Sequence, residues 1–203
     1  LDLGHEYSLV NFPFNTANSF FDQRTSAHVL LAHTRWLTHQ TGWTYQAREY
    51  DTRQARNPSG VDIITLVRED QRHTVSHEFR LRFAKTSARL VGEFYRNSSN
   101  DLFRDFYDWK DYRVRGVVSR VLSPKWYGVV VSSFERHDYE ERLVPAIDVP
   151  ETDKLFTFAG SLIYEVRPNT QLTYSLTYRY QYSNDPRLDF TDWINQVGLT
   201  LSF

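Results

Sequence analysis

The chain has 203 residues, 24 Lys and Arg against 25 Asp and Glu, and a net charge of −1. That balance excludes the basic footprint of a nucleic-acid binder and a solvated acidic arm. The absence of cysteine excludes disulfide scaffolds, cysteine zinc sites, iron–sulfur clusters and thiol nucleophiles.

There is no methionine, as in a processed chain or a piece of a longer one. The N-terminus has no signal-peptide pattern, and no apolar run is long enough for a membrane helix. Yet aromatic residues make up 16% of the chain, with 14 Phe, 13 Tyr and 5 Trp against 8 Gly and 7 Pro. So polar a chain needs a place for its rings: an unusual soluble core, or lipid.

In chain order the sequence predicts ten strands, near 3–12, 26–38, 41–53, 73–84, 87–98, 109–122, 125–137, 153–166, 169–183 and 191–203. The period decides. Leu172, Tyr174, Leu176, Tyr178, Tyr180 and Tyr182 alternate with Gln171, Thr173, Ser175, Thr177, Arg179 and Gln181. A helix cannot sustain that alternation. Val75, His77, Phe79, Leu81 and Phe83 oppose Ser76, Glu78, Arg80 and Arg82, and similar rows recur at 43–48, 88–95, 111–118 and 155–166. The segments 3–11, 27–38 and 126–137 leave their facing open. Short connections fall near His39-Gln40, Lys85-Thr86, Ser123-Pro124 and Arg167-Pro168. Long ones cover 13–25, 54–72, 99–108, 138–152 and 184–190.

Short turns on one side and long loops on the other describe an all-β, transmembrane, antiparallel up-and-down barrel of about ten strands with both termini periplasmic. A soluble β-sandwich or lipocalin-like barrel also alternates. However, the predicted strands are much longer than the roughly 5–6 residues usual in soluble sheets. The rings then suit the headgroup level. Trp43, Tyr127, Tyr164, Tyr180, Tyr182, Trp193 and Phe203 are the candidate girdle. The opposite face carries Arg48, Arg80, Arg82, Arg89, Arg113, Arg115 and Arg179 with Glu78, Glu93 and Glu165. These are the candidate pore-lining residues. Seven cations over three acids fit an anion-preferring pore or a path for an acidic polymer. They also fit an Arg–Glu network that fills a narrow barrel.

The chain ends Gln196-Val197-Gly198-Leu199-Thr200-Leu201-Ser202-Phe203. This resembles the C-terminal β-signal of Gram-negative outer-membrane proteins, with Gln196, Gly198, Leu201 and Phe203 in its specified positions. The resemblance implies recognition by the barrel assembly machinery. Further phrases are Val121-Leu122-Ser123-Pro124-Lys125-Trp126-Tyr127, Phe134-Glu135-Arg136-His137-Asp138-Tyr139 and Tyr182-Ser183-Asn184-Asp185-Pro186. They are similar to the C-terminal barrels of tetratricopeptide-linked exporters such as the surface lipoprotein assembly modifier family. That likeness implies one barrel domain over 1–203, or the C-terminal part of a larger barrel, and carries over no functional residue.

His137-Asp138 at a strand end is the one dyad-like pair. Its missing partner argues against a rim protease, and Ser132, Ser133 and His137 are too weak a signal for a lipid-modifying enzyme. The acidic and aromatic segment 101–109 fits a site for a divalent cation bridging lipopolysaccharide, or for a partner, but reads first as a short loop helix tucking its rings against the barrel rim. No catalytic residue, metal site or cofactor is expected. The expected partners are outer-membrane lipid, lipopolysaccharide and envelope proteins, and the expected function is a pore or export channel. The alternative is a plugged barrel serving as anchor, adhesin or partner subunit.

Overall fold

A computed structural model describes residues 1–12, 18–103, 107–144 and 147–201. It contains ten strands: β1 (Asp2–Val10), β2 (Phe20–Ala32), β3 (Leu37–Arg56), β4 (Asp62–Phe83), β5 (Thr86–Ser99), β6 (Trp109–Ser123), β7 (Trp126–Val144), β8 (Val149–Arg167), β9 (Thr170–Ser183) and β10 (Phe190–Leu201). They form one antiparallel sheet in which each strand pairs with its neighbours in sequence. The protein is all-β and up-and-down, as the alternation predicts.

Four boundaries differ from the sequence reading, the first being that β2 begins at Phe20, inside the predicted loop 13–25. The first short turn lies at 33–36, not at His39-Gln40. Thr34 builds it: its hydroxyl accepts from the Leu37 and Trp36 amides at 3.0 and 3.3 Å, and His33 N–H donates to the Leu37 carbonyl at 3.0 Å. A hydroxyl can close a turn that lacks Gly or Pro. The predicted loops at 54–72 and 138–152 are largely strand. β3 and β4 run 20 and 22 residues, and β7 and β8 run 19 each. A tilted strand crosses hydrocarbon in about 9–11 residues, so roughly half of each stands beyond the membrane. There the outward face need not be apolar, and the alternation that marks a strand in sequence disappears. The β3–β4 tip closes on Asn57, whose side-chain oxygen accepts from Ser59 and Val61 amides at 3.0 Å each, and on Gly60 at φ 84.

The register sorts the side chains into two faces. One row across the sheet is Leu90, Gly116, Ser132, Phe158, Tyr178 and Trp193. The row offset by one residue is Arg89, Val117, Val131, Ala159, Thr177 and Ile194. Phe79, Leu90, Val114, Phe134, Phe158 and Leu172 all lie on the first face and are exposed. Buried apolar residues are few: Tyr50, Ala55 and Val144 among the described residues. A soluble sandwich hides its apolar face under a second layer; here that face is bare.

With no second layer, a sheet buries side chains only where its own curvature crowds them. Asp22, Gln46, Glu78, Asn97, Asp111 and Ser183 are buried, and all lie on the polar face. The polar face is therefore concave and the apolar face convex. Among the described residues no pairing joins β1 to β10. The ten strands are an arc with two free edges, not a ring closed on itself.

Candidate functional site: the concave polar face

All ten candidate lining residues share this face. Arg48 pairs across to Asp22 and Asp70, Glu78 to Val91, Arg80 to Arg89, Arg82 to Ser87, Glu93 to Ser76 and Arg113, Arg115 to Val91 and Ser133, Glu165 to Gln171, and Arg179 to Thr157 and Asp192. The register also adds groups that the sequence count of seven cations and three acids left out. Asp22, Asp70, Asp111, Glu135, Asp153 and Asp192 join them, with Arg24 and Arg72. The whole face is thus closer to neutral than that count implied. What distinguishes it is where the charges stand.

At the short-turn end, β4 to β6 gather Arg80, Arg82, Arg89 and Arg115 around one buried carboxylate, Glu78. Arg89 Nη2 donates to Glu78 Oε2 at 2.7 Å, and Arg80 Nε binds Glu78 Oε1. Two guanidiniums thus clamp one acid. Arg82 and Arg115 have no ion-pair partner among the described residues, and both are exposed. Trp36 and Arg35, in the first turn, close a small recess against Arg80 and Arg82.

The middle and the long-loop end are paired instead. Gln46 Nε2 donates to both Asp22 oxygens at 2.8 and 2.7 Å, and Arg48 lies over the Phe20 ring at 3.9 Å. Arg113 makes a two-pronged bond to Glu135 at 3.0 and 2.9 Å. The guanidinium of Arg68, only 4% exposed, binds Asp70 at 2.9 and 2.6 Å and stacks 3.3 Å from the Tyr107 ring. Arg53 donates to the Tyr107 hydroxyl at 2.6 Å, and Arg56 binds Asp101 at 3.0 Å. Backbone bonds from Leu102 N–H to Arg56 O and from Asn100 N–H to Glu69 O complete the seam. The segment around Asp101 is therefore a strut that fastens the β3–β4 hairpin to the rim, and its described residues form no helix. Arg104, Asp105 and Phe106 lie outside the described residues.

Further along that end, Asp111, His137, Asp153 and Ser183 form one cross-strand row, with Glu151 above it. One oxygen each of Asp111, Glu151 and Asp153, and His137 Nε2, are buried without a hydrogen-bond partner. Burial pushes the Glu151 carboxyl above its ordinary range, against the opposing pull of Arg142 at 3.0 Å. In the loop after β9, bonds from Arg187 hold the Asp185 carboxyl down at about 2. No His, Cys, Asp and Glu group among the described residues has the geometry of a metal site.

Two readings of single residues are corrected by the register. His137 faces the concave side, 3.9 Å from Asp111. Asp138 lies on the other face, accepting from Arg136 Nε at 2.9 Å and Thr152 at 3.0 Å. Successive strand residues point to opposite faces, so these two form no dyad. Among the candidate girdle residues, Trp43, Tyr164, Tyr180, Tyr182 and Trp193 lie on the convex face, but Tyr127, opposite Ile163, falls on the concave one. The bulge between Val121 and Ser123 sits beside it and obscures the period there. Of the terminal signal, Gln196 and Gly198 are on the polar face and Leu201 on the apolar face. Phe203 lies outside the described residues.

This architecture is shared with outer-membrane receptors. A siderophore receptor, PirA of Pseudomonas aeruginosa, superposes on 92% of this chain with a TM-score of 0.69 at 11% identity, over 31% of its own length. Two variants of the ferric enterobactin receptor PfeA of the same organism match over 89% and 96% of the chain, with TM-scores of 0.67 and 0.68 at 11% and 10% identity. The chain spans 31 to 33% of the length of these receptors. No family model and no curated protein matches the sequence. The chain therefore has the fold of a bacterial outer-membrane barrel wall, and its bare convex band fits it to that membrane.

Proposed function

We propose that the chain is an arc in the wall of an outer-membrane passage wider than ten strands, and that its concave face meets water and favours anions. In hydrocarbon each unpaired backbone group costs several kcal/mol, so the free edges of β1 and β10 call for further strands, from this protein or a partner. A wider ring leaves room for an aqueous lumen where a ten-stranded one fills with side chains. The observation that carries the anion preference is the gathering of Arg80, Arg82, Arg89 and Arg115 around Glu78, with Glu93 the next acid along β5, at the short-turn end, the periplasmic side in such barrels. Arg80 and Arg89 share the Glu78 carboxylate and Arg82 and Arg115 have no partner among the described residues, so the patch keeps a net positive charge, which concentrates anions at a mouth. Export of an acidic polymer, as the likeness to tetratricopeptide-linked exporters implies, is one use of such a passage.

The test spares Arg80 and Arg89, because removing either leaves Glu78 with part of its buried charge unpaired. Arg82→Ser with Arg115→Ser leaves every ion pair in place. Bilayer recordings of the protein extracted from its own membrane are expected to show anion preference, lost or reversed in the double variant. Unchanged selectivity would remove the pore reading. No conductance at all would favour the rival reading of a plugged barrel acting as anchor or envelope subunit, which the dense pairing around Arg68 and Arg113 suits.

A further inference from the structure

Two depressions of similar size lie on the convex face: one of about 420 Å³ beside Trp36, Leu81 and Phe83, and one of about 440 Å³ on β6 to β9, the only one of the two that a cation lines. Val118, Val130, Leu162 and Leu176 wall the latter, and Gly128 and Gly160 form its floor. Its size is that of a small-molecule pocket. Glycine in a strand interior costs roughly 0.5–1 kcal/mol against alanine, so its presence asks for a reason. Close packing within the chain is not the reason here. A Cβ on Gly160 would meet nothing within 4 Å, and one on Gly128 would reach only Leu122 at 3.5 Å, an ordinary contact. What sets Gly128 and Gly160 apart from the equally open Gly92 is that both lie in the same depression, where their missing side chains leave room for a ligand from outside the chain.

The short-turn end of the furrow is different. Arg120 lines it, exposed on an otherwise apolar stretch of the face and without an ion-pair partner among the described residues. Its row is Thr86, Arg120, Gly128 and Leu162, level with the start of β5. Close by, Trp126 and Tyr164 pack ring to ring at 4.6 Å on the same face. Paired aromatics of this kind mark the headgroup level. The furrow thus has an apolar trough toward the hydrocarbon and a single free cation at interface depth.

We propose that this furrow holds one acyl chain of a glycerophospholipid of the periplasmic leaflet, with the phosphate of that lipid on the Arg120 guanidinium. A planar guanidinium binds phosphate through two parallel N–H bonds. The chain replaces side chains that Gly128 and Gly160 withhold. This assignment is independent of whether the concave face conducts.

Native mass spectrometry of the protein extracted from its own membrane, washed free of lipid and resupplied with phosphatidylglycerol in detergent, tests it. One tightly bound lipid per chain is expected. Gly160→Leu fills the trough and is expected to lower occupancy about tenfold, and Arg120→Ala by a similar factor, with Arg120→Lys retaining most of it. Gly92→Leu is the control: Gly92 is on the same face with nothing within 4 Å of its would-be Cβ, but it lies outside the furrow. It is expected to bind as the parent does. Heat-modifiable gel migration confirms that each variant is folded. Unchanged binding in Gly160→Leu, or equal loss in Gly92→Leu, would overturn the assignment. Full binding by Arg120→Ala would overturn the phosphate contact.

Discussion

The first four strands and the last six present different outward faces. On β5 to β10 the convex rows are Gly92, Val114, Phe134, Phe156 and Tyr180, then Leu90, Gly116, Ser132, Phe158 and Tyr178. On β1 to β4 the same face carries His5, Gln23, Thr25, His39, Thr41, His73 and His77. Several of these polar groups partner one another. His5 bonds Thr25 at 2.7 Å, and Thr41 reaches His39 at 3.2 Å and His77 at 3.1 Å. The His39 ring also stacks on Phe79 at 4.4 Å. A polar side chain turned toward hydrocarbon is tolerated when its hydrogen bonds are made locally. The contrast teaches that the six-strand half is the cleaner lipid surface, while the four-strand half covers its polarity with its own pairs.

Glycines differ between the halves too, with Gly4 and Gly42 on the concave face and Gly92, Gly116 and Gly160 on the convex face. A Cβ on Gly42 would stand 2.4 Å from the His28 ring and 2.8 Å from Ser76 Oγ, and one on Gly4 2.9 Å from Ser26 Oγ. In the first half glycine makes room for side chains of the chain itself. In the second half Gly92, Gly116 and Gly160 meet at most one atom, at 4.0 Å.

The sharpest break in this comparison is an arginine on each half. Phe158→Arg is expected to cost about 2–4 kcal/mol, the range for a cation on the lipid face near the midplane. Gln23→Arg, which replaces one polar side chain of the first half and breaks none of these bonds, is expected to cost clearly less. Urea unfolding in phosphatidylcholine vesicles measures both, and equal costs would erase the distinction between the halves. Next in size are the glycines. Gly42→Val forces His28 and Ser76 aside and is expected to cost about 1–3 kcal/mol. Gly116→Ala, in open space, is expected to be neutral or to stabilise by up to about 1 kcal/mol. A penalty for both would mean that the second-half glycines are also held by packing.

The smallest effect concerns the loop after β9. The folded Asp185 carboxyl, held at about 2 by Arg187, lies below the roughly 3.9 of a free aspartate. Its contribution is therefore present above pH about 4 and lost as pH falls through about 2. Asp185→Asn is expected to abolish that acid step in amide-exchange protection of residues 183–189 and to leave the strands unchanged. An identical acid profile in the variant would show that another group is responsible.

Seven of the ten strands were legible from the strict period of two that hydrocarbon on one side and water on the other impose, and the segments 3–11, 27–38 and 126–137 from their length and β-branched or aromatic content alone. Beyond the membrane that constraint ends. Tyr139 to Val144 and Asp62 to Arg72 read as loop although they are strand. Asp22 and Asp70 escaped notice as members of the polar face because they fell in the segments read as loops, 13–25 and 54–72, and Asp111 and Asp153 because they stand within a few residues of a strand start, where facing is fixed only by the register. The Arg68–Tyr107 contact joins residues 39 positions apart, which no local pattern announces. The arginine cluster at the short-turn end was legible, since Arg80, Arg82, Arg89 and Arg115 all fall on clean alternating runs. The openness of the sheet was not, because strand count alone does not say whether the first and last strands meet.

The central claim is that the concave face meets water and the convex face meets lipid. The chain has no cysteine of its own, so single cysteines introduced at Ser76, Ser133 and Thr177 on one face, and at Val114, Phe158 and Leu176 on the other, report each site alone. With a small hydrophilic maleimide applied to outer membranes, labelling of the first three and protection of the last three are expected. Labelling of Val114, Phe158 and Leu176 with protection of the polar-face set would contradict that claim.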